Sequence, residues 1–229
     1  MFWKYFIGSM LIIGFTYLVY VFLYRQKFVK LSEMLYVNAD AEAYLKELNK
    51  FSTSIFFQKK LVEMMKIDAY MMLGEDDKLE SLFDYLSKTK LRAGDEFVVA
   101  QKKIGYYSIK KDIVKIKETY ARMQELRNII KAKSYETYDN ALVEVEYMVA
   151  LLEKDGKFAK DLANKGNQAG ETLIGGTYYY KAAQSYYYQN DEKNAKYFLE
   201  KALHLLKGTN YEKKIKEILD SNNLKGLDD

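Results

Sequence analysis

The sequence predicts an all-α chain in which one membrane-crossing helix is followed by a solenoid of helix pairs. Three observations carry that prediction. The 229 residues contain no Pro, little strand-type alternation and an abundance of Lys, Glu, Leu, Ala and Met, which favours helix throughout. An uncharged run of twenty residues, Tyr5 to Tyr24, stands near the start. Behind it, a pattern of apolar helix, polar turn and second apolar helix recurs four times.

Composition narrows the function classes. With 49% hydrophobic and 30% charged residues, the chain has enough apolar surface to bury a core. Cys is absent, which excludes disulfides, a thiol nucleophile and Cys-based zinc sites. The net charge of +4 is modest, and no nucleic-acid partner is expected from it.

The first element is "YFIGSMLIIGFTYLVYVFLY". At about 1.5 Å per residue it matches the roughly 30 Å of a bilayer core. Lys4 and Arg25 bracket it, and Trp3, Tyr5 and Tyr24 stand where interfacial aromatics belong. A cleaved signal peptide fits less well, because the run is long and no small-x-small site follows it. Residues 1–25 are therefore expected to anchor the chain. Arg25, Lys27 and Lys30 outnumber the amino terminus and Lys4, which favours a cytoplasmic location for the remainder.

Residues 26–59 are expected to hold juxtamembrane and N-terminal capping helices, including an amphipathic helix over 38–51 capped by Asn38 or Asp40. The repeats follow over 60–209, as 60–93, 97–130, 140–173 and 176–209. Leu79, Ile116, Ala159 and Ala195 occupy equivalent positions, 37, 43 and 36 residues apart. Nine residues before them stand Tyr70, Tyr107, Ala150 and Tyr186. Four after them come Phe83, Tyr120, Ala163 and Leu199, and seven after them Leu86, Met123, Gly166 and Ala202. The i, i+4, i+7 spacing places each set on one helix face. A recurring two-helix unit of this size is the mark of a helical solenoid. Residues 210–229 are expected to supply a capping helix and tail, with Ile215, Ile218 and Leu219 on its apolar side. The glycines of "NKGNQAGETLIGG", 164–176, suggest a flexible joint or a widened loop, and "KDGK" a turn with Gly at the helix exit.

The pattern resembles the tetratricopeptide repeat, a helix–turn–helix of 34 residues. The fourth stretch carries the resemblance best. Tyr179 stands at the early aromatic position, followed by Ala183 and Tyr186, then by Ala195, Leu199 and Ala202 in the second helix. The other stretches depart from it. Ala150 replaces the Tyr, Leu79 and Ile116 replace the small residue, and no stretch has the closing Pro. The resemblance implies a right-handed α-solenoid of about four degenerate pairs whose first helices line a concave groove.

That implication divides the tyrosine triplets Tyr178–Tyr180 and Tyr186–Tyr188. Tyr179, Ala182, Ala183 and Tyr186 share a face that is expected to be core. Tyr180, Gln184 and Tyr187 fall on the groove side, with Lys181 beside them. The same side in earlier stretches presents Met64 and Asp68, then Gln101 and Lys102, then Glu144 and Met148. A Tyr- and Met-bearing groove suits a peptide or helix from a partner.

Chemistry is sparse. His204 is the single His, and no nucleophile or orienting group can be named beside it. The acidic turn "GEDDKLE" lacks calcium-loop spacing and reads as a helix start. The basic stretches at 101–103 and 109–117 read as solvated faces. No P-loop, HExxH or GxSxG element occurs. The expectation is a non-enzymatic adaptor or scaffold at the membrane, with no cofactor, metal or small-molecule substrate. The alternative is an extracytoplasmic holdase or assembly factor for exported proteins.

Overall fold

A computed structural model describes the backbone of residues 2–130, 135–221 and 223–228, and the side chains over the same span except at 2–9, 11 and 12. Among the described residues the chain is all-α. It divides into two compact units, 1–102 and 103–229, and the cut falls inside the second expected repeat.

The first unit begins with α1 (Phe2–Ser32), which runs on into a wider π-helical turn at Glu33–Val37. Among the described residues no helix is long and apolar enough to cross a membrane. The anchor expected at 1–25 rests partly on side chains at 1–9, 11 and 12, which lie outside the described residues. Next come α2 (Ala41–Leu48), α3 (Phe51–Phe56), α4 (Lys59–Leu73) and α5 (Asp76–Lys88). Asp40 starts α2 by accepting a hydrogen bond from the Ala43 amide at 2.9 Å, which satisfies one orphan donor of the first turn. Gly74 ends α4 at φ 66°, a conformation that costs glycine little. α5 then doubles back on α4. One core joins α1 to its neighbours through Leu31, Leu35, Tyr44, Leu48, Phe57 and Val62.

α6 (Ala93–Ile109) starts in the first unit and ends in the second. The second unit continues with α7 (Ile113–Ile129), α8 (Tyr135–Leu152), α9 (Ala159–Ala169), α10 (Leu173–Tyr188), α11 (Glu192–Leu205) and α12 (Asn210–Asp220), then a 3-10 turn at Leu224–Asp228. Asp112, Thr172, Asp191 and Thr209 each cap the helix that follows with a side-chain oxygen. α10 lies between α9 and α11. Tyr179, Ala182, Ala183, Tyr186, Ala195, Leu199 and Ala202 form its core, and the Phe198 ring stacks on Tyr186 at 5.4 Å.

Each of the four expected stretches contains two helices joined by a short turn. The equivalent positions Leu79, Ile116, Ala159 and Ala195 are all buried, at 0–1% exposure.

Two glycine expectations are corrected. The stretch 164–176 is no open joint, because helix covers it apart from the short link between α9 and α10. A Cβ on Gly166 would lie 2.6 Å from the Tyr179 ring, and one on Gly176 would lie 2.8 Å from Leu206. These glycines let helices approach. In "KDGK" the left-handed residue is Lys154, at φ 57°, and not the glycine. Gly156 is present because a Cβ there would lie 2.4 Å from the Ser185 carbonyl oxygen. Its own carbonyl accepts from Ser185 Oγ at 2.9 Å and Gln189 Nε2 at 2.8 Å.

Candidate functional site

The ten residues expected to line a groove fall in both units, and each unit is described by itself. In the first, Met64 is buried at 8% exposure and Gln101 is exposed. Asp68 and Lys102 are joined by an ion pair of 2.5 Å. The hydroxyl of Tyr36 donates to the other Asp68 oxygen, also at 2.5 Å. Burial, then this bond to an acceptor that repels a phenolate, pushes the Tyr36 hydroxyl up to about 12.

The second unit repeats the arrangement. Glu144 on α8 accepts from Tyr178 Oη at 2.5 Å and from Lys181 Nζ at 3.4 Å. The ammonium also sits 5.4 Å from the centre of the Tyr178 ring. Each cluster thus holds one carboxylate, one lysine and one tyrosine. Carboxylate and lysine are 34 residues apart in the first and 37 in the second, about one repeat. Lys102 and Lys181 are therefore spent on carboxylates of the chain itself. The spacing of opposite charges by one repeat was a legible signal of this pairing. Tyr36 and Tyr178 stand at similar spacings from their carboxylates, 32 and 34 residues, but a tyrosine hydroxyl has no charge to name its partner.

Of the remaining four residues, Tyr180, Gln184 and Tyr187 lie at the C-terminal cover of the second unit. Tyr180, expected on the groove side, is buried at 5% exposure. α12 lies over it, with the Tyr211 ring at 5.1 Å and the Lys214 ammonium at 5.9 Å from its centre. Ile215 and Ile218 join the same core. Gln184 Nε2 donates to the main-chain carbonyl of Leu227 at 2.9 Å, and the Leu227 side chain is fully buried. Lys154 pairs with Asp228 at 3.1 Å. Gly226 passes close to α12, where a Cβ would lie 2.6 Å from Ile218 Cγ1. Tyr187 is half-buried and walls a cleft of about 400 Å3 with Glu192, Lys193, Lys196, Leu224 and Lys225. Met148 is half-buried on α8. The α10 face read as a docking surface is therefore largely covered at Tyr180 and Gln184 by residues 210–221 and 223–228 of the chain itself. The apolar side of α12 was legible in the sequence, but the surface it covers was not.

A third cluster, which sequence reasoning missed, ties α1 to α2. Glu47 is buried at 6% exposure. It pairs with Lys27 at 2.5 Å, Lys50 at 2.7 Å and Lys30 at 3.8 Å. Hydrogen bonds from Lys27 and Lys50 outweigh the cost of burial and hold its carboxyl down at about 2. Thr53 Oγ1 donates to the Glu47 carbonyl at 2.6 Å, which brings α3 to the same point.

His204 is exposed on α11, beside a cleft walled by Tyr179, Tyr197, Glu200 and Lys201. Among the described residues no group of three His, Cys, Asp or Glu side chains is placed to hold a metal ion. No family model matches the chain, and no curated protein or solved structure matches it either.

Proposed function

We propose that the chain is a membrane-anchored adaptor of tetratricopeptide-like helix pairs, built as a right-handed solenoid, that receives a peptide or short helix of a partner protein. One observation carries the reading. A short leucine-bearing segment of the chain itself rests against α10, through a side-chain bond from Gln184 to its main chain and a fully buried Leu227. Recognition of a main-chain carbonyl plus an apolar side-chain pocket is how helical and sheet surfaces commonly receive peptides. The tail then acts as a built-in occupant whose local concentration a partner must match, and short linkers make such concentrations millimolar.

The anchor is read from the uncharged run at 5–24 and its flanking Lys and aromatic residues. The positive charges behind it favour a cytoplasmic adaptor.

The test uses the full chain in lipid nanodiscs and a fluorescent peptide of sequence SNNLKGLD, residues 221–228. Leu227→Asp displaces the tail and leaves α12 in place. That variant is expected to bind the peptide more tightly than the unaltered chain, and adding Gln184→Ala is expected to weaken the binding again. A folded Leu227→Asp variant that ignores millimolar peptide would overturn the groove reading.

A further inference from the structure

The short helix α3 presents two large apolar side chains outward. Phe51 is 82% exposed and Ile55 57%, and their four-residue spacing puts them on one face. The opposite face is fixed. Thr53 is fully buried and bonded to Glu47. The Phe56 ring lies 5.9 Å from Tyr20, and the Phe57 ring 4.9 Å from Tyr24. Tyr20 and Tyr24 belong to the last turns of the apolar run. α3 is therefore held alongside the end of that run rather than beyond it.

An open cleft of about 670 Å3 lies at the same level. Phe22, Leu23 and Phe56 make its apolar wall, and Arg25 and Lys30 stand with Glu33 among its polar groups. Lys46 and Lys50 are exposed nearby on the approach to α3. Apolar side chains at the level where a membrane helix leaves the bilayer, flanked by an excess of cations, match the chemistry of a lipid interface. Anionic head groups attract such cations at short range.

We propose that α3 is a second membrane contact. It lies in the head-group layer, with Phe51 and Ile55 entering the acyl boundary and Arg25, Lys30 and Lys46 meeting the phosphates of anionic phospholipids. This rests on the reading that residues 5–24 cross the bilayer. The Glu47 cluster holds α2 and α3 against α1, so the contact fixes the first unit to the membrane surface instead of leaving it to swing on the anchor.

Full-length chain is reconstituted into vesicles of phosphatidylcholine and phosphatidylglycerol, with bromine-labelled acyl chains as quencher. The reporter is Phe51→Trp in a Trp3→Phe background, and the unaltered chain, whose single Trp is Trp3, serves as control. Blue-shifted emission from the Phe51→Trp variant, quenched by the bromolipid and more strongly when phosphatidylglycerol is present, is the expected result. Water-like, unquenched emission while Trp3 is quenched would overturn the α3 contact and leave the anchor standing. Blue-shifted emission without bromolipid quenching would place a protein surface over α3, and would also overturn it. A chain that floats with no vesicle and shows no quenching at either position would bring down the anchor and the α3 contact together.

Discussion

Replacing Glu47 by Gln removes one charge and almost no volume, so it isolates the electrostatic part of the clamp between α1 and α2. The carboxyl falls from 4.5 to about 2 in the folded chain, which corresponds to about 3 kcal/mol between its two protonation states. That figure is a ceiling. The Lys30 and Lys50 side chains are 61% exposed, where water and salt screen much of an ion pair's energy. Lys27 is only 13% exposed, and it would be left half-buried without its partner. We expect a loss of about 2 kcal/mol, or about 30-fold in the local opening equilibrium. A depressed carboxyl stabilises the fold fully above its ordinary value near 4.5, and the contribution is lost as pH falls through the folded value near 2. Amide hydrogen exchange over α2 and α3, in the full chain in nanodiscs, measures both effects. After correction for intrinsic exchange, protection should fall between pH 4.5 and 2. In Glu47→Gln it should be lower at neutral pH and flat across that window. A variant within about 0.5 kcal/mol of the parent at neutral pH, or one that keeps the acid dependence, would refute the assignment, since changes of that size are ordinary for surface sites.

Two substitutions in the second unit test the packing around α10. Leu199→Ala empties a fully buried position, and should destabilise the unit by about 2–5 kcal/mol in chemical denaturation. Gly166→Ala places a methyl 2.6 Å from the Tyr179 ring, and should cost about 1–3 kcal/mol by overpacking. A neutral Gly166→Ala would show that the Tyr179 ring can move aside, and that close approach does not fix the glycine, since its backbone is helical.

The helical class was legible because burial follows the apolar pattern along each helix. Leu79, Ile116, Ala159 and Ala195 are all buried, and their partners at i+4 and i+7 fall on the same helix face as each of them. The cover over Tyr180 was not legible. The pattern of α12 shows that Ile215 and Ile218 must be buried, but any apolar surface would satisfy it. The glycines misled for a related reason. Gly permits both a left-handed backbone and a close approach, and composition does not separate the two. At 154–156 the structure divides these roles between Lys154 and Gly156. Glu47 stood out least, because a single carboxylate among exposed lysines looks the same in sequence whether it is solvated or enclosed by them.

The cover over α10 also has a consequence in time. Gln184 and Leu227, which bond to each other, are 43 residues apart in the chain. A ribosome adding about 5–20 residues per second needs roughly 2–9 s to pass from one to the other. Until then the tyrosine face of α10 has no Leu227 segment to cover it. For those seconds the nascent chain exposes an aromatic strip that the finished chain hides. Synthesis is therefore the stage at which aggregation, or capture by a passing chaperone, competes most directly with folding.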